Sequence, residues 1–107
     1  MPVYNKLVRD RIPGIIEAEG KSFNTRILED QEYRTALHDK VIEEVTELRK
    51  ATTATEATEE LADILEILYA IAEDMGVDMR RIESVRGEKR AARGGFSEKI
   101  LLIDVED

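Results

Sequence analysis

Along two stretches of the chain, apolar residues recur every three or four positions, the spacing of a helix with one buried face. In the first stretch these are Tyr33, Leu37, Val41, Val45 and Leu48. This predicts a helix over Asp30–Lys50 with Asp30 as its N-cap. In the second they are Leu61, Ile64, Leu65, Leu68, Tyr69, Ile71 and Ala72. That arc is wider than one partner helix covers, and it predicts a helix over Thr55–Met75 stopped by Gly76. Between the two, the run Ala51–Thr55 is rich in poor helix formers and potential caps, so the long helices read as an antiparallel hairpin.

Two shorter helices flank the hairpin. Pro13 opens one over Pro13–Glu19, where a missing N–H costs little, and Gly20 closes it. Asp78 caps another, which carries Met79, Ile82 and Val85 toward the core, passes through Gly87 and ends at Gly94–Gly95. Lys21–Glu29 reads as a loop with an extended piece near Phe23–Ile27. The arm Pro2–Val8 and the tail Phe96–Val105 have β-type composition. They are expected to pair as a small terminal strand element. The fold class is therefore all-α, a bundle of two long and two shorter helices in one domain over residues 1–107. Its thin core predicts completion by a second copy, in a dimer or tetramer.

Acidic positions interrupt the apolar faces. With Leu37 at zero and about 100° per residue, Val41, Val45 and Leu48 fall at about 40°, 80° and 20°. Glu44 lies inside that stripe at about −20°, Glu47 on its edge at about −80°, and Glu43 points away at about −120°. With Leu61 at zero, Glu60 falls within the second arc at about −100° and Asp63 just beyond its edge at about −160°. Glu59, Glu66 and Glu73 lie on the far, solvated side. In an antiparallel hairpin Glu44, Glu47, Glu60 and Asp63 converge near the turn. Four carboxylates in a partly dry site repel unless they are protonated or share a cation. Oxygen ligands without nitrogen or sulfur suit a hard ion, Mg²⁺ first and Mn²⁺ second. The sole histidine, His38, forms no Glu-x-x-His pair and argues against a ferritin-like di-iron centre.

Composition narrows the partners. Lys and Arg number 16 against 24 Asp and Glu in 107 residues, a net charge of −8. That balance disfavours nucleic acid polymers as partners. The charge is uneven, with Lys6, Arg9 and Arg11 at the start and a basic run from Arg80 to Lys99. An acidic centre between basic ends suits a cation together with a polyphosphate. The chain has no cysteine, which excludes thiolate metal sites. No apolar run approaches the roughly 18 residues of a membrane span. The start, MPVYNKLVRDRIP, has no signal-peptide core, so cytoplasmic residence is expected.

The motif Glu43-Glu44-Val45-Thr46-Glu47, a spacer, and then Glu60-Leu61-Ala62-Asp63 resembles the EExxE…ExxD signature of the MazG-like all-α nucleoside triphosphate pyrophosphohydrolases, relatives of phosphoribosyl-ATP pyrophosphohydrolase. Two further blocks are similar to one branch of that family: YNKLVRDRIP at Tyr4–Pro13 and K-x-x-x-RGGF from Lys89 to Phe96. The resemblance implies Mg²⁺ ligation by Glu44, Glu47, Glu60 and Asp63. It also implies attack of an activated water on the α-phosphate of a nucleoside triphosphate, standard or modified, to give the monophosphate and pyrophosphate. Phosphate countercharge is expected from Lys89 and Arg93, then Lys6, Arg9 and Arg11. Two alternatives stay open: hydrolysis of phosphoribosyl-ATP, and a non-catalytic helical interaction or regulatory module. The spacer is short for the family, and Gly14 stands where the branch often has an acid.

Overall fold

The computed structural model describes residues 2–107 and contains four helices and no strand among them. These are α1 (Ile12–Ala18), α2 (Asp30–Lys50), α3 (Ala54–Asp74) and α4 (Met79–Arg93). Among the described residues, no helix is long and apolar enough to cross a membrane. The chain forms two compact units, Met1–Gly76 and Val77–Asp107.

In the first unit α2 and α3 pack along each other. Their turn is short because both ends are capped locally. Ala51 leaves the helical conformation at ψ 133°. The Thr53 hydroxyl accepts a hydrogen bond from the Glu56 N–H at 3.1 Å, while the Glu56 carboxylate accepts one from the Thr52 N–H at 3.0 Å. This reciprocal cap starts α3 one residue earlier than the periodicity suggests. The antiparallel register is held at the far end by Arg34, whose Nε lies 3.0 Å from Asp74 Oδ2. The N-cap of α2 is Glu29, one residue before the expected Asp30. Its extended backbone (φ −74°, ψ 162°) leads into the helix, and the Glu32 side chain reaches back to its N–H.

The hairpin core is small. Leu37 on α2 and Ile67 and Ala72 on α3 are its buried apolar residues. The α2 face toward α3 is completed by half-buried Tyr33, Val41, Glu44 and Leu48. On α3 only part of the apolar arc is used. Ile64, Ile67 and Ile71 turn inward, whereas Leu61, Leu65, Leu68 and Tyr69 are 54%, 47%, 44% and 45% exposed. Before the hairpin, α1 ends in a Schellman turn: Gly20 adopts φ 76°, and the N–H groups of Gly20 and Lys21 donate to the carbonyls of Glu17 and Ile16.

In the second unit Asp78 caps α4 by accepting from the Arg80 N–H at 2.7 Å, and the helix runs through Gly87 to a C-cap at Gly94 (φ 83°). The expected terminal strand pair does not form. The arm is broken at Asn5 (φ 45°) and the tail at Lys99 (φ 60°), both in the left-handed region that a strand excludes. Lys99 instead closes a turn, donating its N–H to the Phe96 carbonyl. β-Branched and aliphatic composition alone does not make a strand when the backbone finds no ladder.

Candidate functional site

The hairpin register places Glu44 of α2 beside Glu60 and Asp63 of α3. One carboxylate oxygen from each lies within 4.8 Å of the others. Glu60 projects from the face of α3 that also carries Ile67, so its carboxylate is carried inward with the core. Its Oε2 is buried and has no hydrogen-bond partner. Ionised carboxylates cannot donate to one another, so a proton or a cation between them would satisfy that oxygen. The Glu60 carboxyl accordingly titrates at about 7. A proton shared with Glu44 raises it most, followed by burial and the charges of Asp63 and Glu47.

Three of the four expected ligands therefore meet. Glu47 stands apart, with its side chain 49% exposed and Oε1 3.6 Å from Lys50 Nζ. It borders an open groove at the hairpin turn with Lys50, Ala51, Glu56, Glu59 and Glu60. Glu43 also lies outside the cluster, held by Lys6 at 2.9 Å and Lys40 at 3.5 Å. The hydrogen bond and charge of Lys6 keep the Glu43 carboxyl below its usual range, and Glu43 raises Lys6 in turn.

The basic residues divide between the units. In the first, Lys6 meets Glu43 and Arg9 meets Asp63, with Arg9 Nη2 2.7 Å from Oδ1. Arg11 is the N-cap of α1. Lys89 and Arg93 belong to α4 in the second unit. There the room left by Gly95 is occupied by Arg90, whose Nη1 would lie 2.8 Å from a Cβ at that position.

Lys40 is a contributor that the sequence reading passed over. Its Nζ lies 3.9 Å from Glu44 and also faces Glu43. Its spacing of three and four residues before the two acids was the available signal. The Lys6–Glu43 and Arg9–Asp63 pairs span 37 and 54 residues, and no local spacing announces them.

The cluster fits a divalent ion on two counts. Its donors are carboxylates only, the set that suits Mg²⁺ or Mn²⁺. It also contains a buried oxygen awaiting a positive partner.

A stretch of 48 residues is 54% identical to an uncharacterised protein of Mycolicibacterium smegmatis, covering 45% of this chain. The matched stretch spans about half (49%) of that relative's length. No solved structure matches the chain. The family model described as phosphoribosyl-ATP pyrophosphohydrolase matches residues 4–88, which include the arm, the hairpin and all three clustered carboxylates. The chain belongs to the phosphoribosyl-ATP pyrophosphohydrolase family, within the MazG-like nucleotide pyrophosphohydrolases.

Proposed function

We propose that this protein is a Mg²⁺-dependent nucleoside triphosphate pyrophosphohydrolase, with Mn²⁺ as the alternative ion. The observation that carries this reading is the convergence of Glu44, Glu60 and Asp63 around a buried oxygen with no partner, in a chain of this family. A cytoplasmic nucleotide is the proposed substrate, cleaved between its α- and β-phosphates to a monophosphate and pyrophosphate.

When bound, the metal supplies an acidified water and countercharge for the phosphate oxygens. The remaining work falls to the chain. Glu44, Glu60 and Asp63 hold the ion, and Glu47, on the groove beside them, is the proposed fourth acid of the site. Lys6, Arg9 and Arg11, with Lys89 and Arg93, are the proposed phosphate-binding cations, since guanidinium and ammonium groups match the charge spread over a triphosphate.

The test is pyrophosphate release over a panel of standard and modified nucleoside triphosphates and phosphoribosyl-ATP, with Mg²⁺ and with EDTA. Metal-dependent turnover of a triphosphate supports the proposal. Turnover of phosphoribosyl-ATP alone assigns the alternative substrate. If no nucleotide is hydrolysed, the enzyme reading fails in favour of an interaction module.

A homo-oligomer, dimer or tetramer, is part of the same proposal. Leu61, Leu65, Leu68 and Tyr69 lie within about 100° of one another on α3. Their exposure leaves a continuous apolar strip beside the hairpin. A second copy of the same strip is a self-complementary cover for it.

A further inference from the structure

We propose that the N-terminal arm is a counter-ion latch on the carboxylate cluster, in which Arg9 holds Asp63 in the metal-free protein and a divalent cation displaces it, freeing the arm. The inference rests on the metal-binding reading above and adds to it a second state of the chain.

The arm has no helix or strand of its own. Residues 2–9 precede α1 without regular structure, and Val3 and Tyr4 are 79% and 73% exposed. Among the described residues, two ion pairs join it to the hairpin near the turn: Lys6 to Glu43 at 2.9 Å and Arg9 to Asp63 at 2.7 Å. They differ in what they hold. Glu43 lies outside the cluster, whereas Asp63 is one of its three members. Arg9 is therefore the closer of the cluster's two positive partners among the described residues, the other being Lys40, 3.9 Å from Glu44.

That partnership is weak and easily exchanged. It is a single contact, Nη2 to Oδ1, between side chains 59% and 41% exposed. Solvent-exposed ion pairs contribute little, and less as salt rises. An ion shared by Glu44, Glu60 and Asp63 brings two charges to three carboxylates. It also repels a guanidinium resting on one of the same ligands. Glu60, whose buried oxygen has no hydrogen-bond partner, gains one from the ion.

Displacement leaves the guanidinium beside the bound ion, and its fork of donors matches phosphate as well as carboxylate. The arm thereby exchanges an internal carboxylate for a ligand phosphate when metal and nucleotide arrive together. Lys6 keeps its contact with Glu43, so the arm loosens without leaving the hairpin.

Calorimetric titration with Mg²⁺ alone, on the full chain and on Arg9→Gln, tests the exchange. Removing a weak competitor is expected to tighten Mg²⁺ binding about two- to fivefold. A second readout separates the latch from a general change in charge. The chain has no cysteine, so Val8→Cys, at a 46% exposed position between the two contacts, carries a single nitroxide label. Mg²⁺ should raise the mobility of that label in the otherwise unaltered chain, with the same midpoint as the titration. In Arg9→Gln the label should be mobile from the start and indifferent to Mg²⁺. If Arg9→Gln binds Mg²⁺ equally or more weakly, or if Mg²⁺ leaves the label unchanged or immobilises it, Arg9 stays on Asp63 and the latch is refuted while the metal site stands. If neither protein binds Mg²⁺, the metal reading itself falls and takes the latch with it.

Discussion

Replacing Glu60 by Gln isolates the electrostatic strain of the site without recourse to activity. In the metal-free protein the Glu60 carboxyl titrates at about 7, against 4.5 for an ordinary glutamate. Its folded-state value is raised, so between those two values the native protein holds a proton that the unfolded chain has released. Stability therefore falls as pH rises from about 4.5 to about 7 and levels off above it. At about pH 6 the native carboxyl is roughly nine-tenths protonated, and at about pH 8 roughly nine-tenths ionised beside Glu44 and Asp63. Glutamine keeps the shape, offers an amide N–H to Glu44 and carries no charge at any pH. Thermal melts of both proteins in EDTA should show Glu60→Gln melting well above the parent at about pH 8 and close to it at about pH 5. Mg²⁺ should then raise the melting temperature of the parent at the higher pH, and that of the variant much less. The reasoning is refuted if the gap between the two proteins is the same at both pH values, since the carboxyl would then not be held protonated by its neighbours.

The packing makes its own predictions. Leu37 is 3% exposed, and Leu37→Ala should cost about 2–3 kcal/mol in urea unfolding, toward the lower part of the range for buried leucine because the surrounding half-exposed side chains can relax. Leu65 is 47% exposed, so Leu65→Glu should leave helix content intact yet shift the protein to monomer in sedimentation velocity. A parent protein that is itself monomeric at micromolar concentration would remove the oligomer from the proposal.

What the sequence revealed depended on range. The four helices were legible because their signals are local: the three-and-four spacing of α2 and α3, Pro13 in the first turn of α1, Asp78 and Gly94 bounding α4. Even the errors at the ends were local. Glu29 displaced Asp30 as a cap, and Thr53 began α3 ahead of Thr55, because capping is decided by backbone angles that residue type only biases. The strand expected from Phe96–Val105 failed for a different reason. Strand formation needs a neighbour, and composition speaks for the segment alone. At the site, angular position alone placed Glu44 and Glu60 on inward faces. Glu47, at the edge of its stripe, was expected to face inward with Glu44, yet its side chain is 49% exposed and pairs with Lys50. The wide apolar arc of α3 posed the same problem, since nothing local distinguishes the Ile64, Ile67 and Ile71 side that meets α2 from the Leu61, Leu65 and Leu68 side that does not.

The two ends of the hairpin treat the same problem in opposite ways, and the contrast bears on function. At the far end Asp74 is largely buried, its side chain 14% exposed, and Arg34 neutralises it at 3.0 Å. There the fold encloses a carboxylate and supplies its cation from the partner helix. Near the turn Glu44 is equally enclosed, at 14%, yet its cation, Lys40, stands 3.9 Å away and is shared with Glu43. Lys6 and Lys40 meet Glu43, Lys50 meets Glu47, and Arg9 reaches only Asp63. Glu60 is left with an unsatisfied buried oxygen. A hairpin built for stability alone would resolve this as it does at Asp74, because an unpaired buried carboxylate is among the more costly groups a small core can carry. The sequence has the means, with basic residues within one turn of both acids on α2. That they pair with the rim and with Glu44 and Asp63 but leave Glu60 without a cation is the arrangement expected of a site whose missing charge comes from outside the chain.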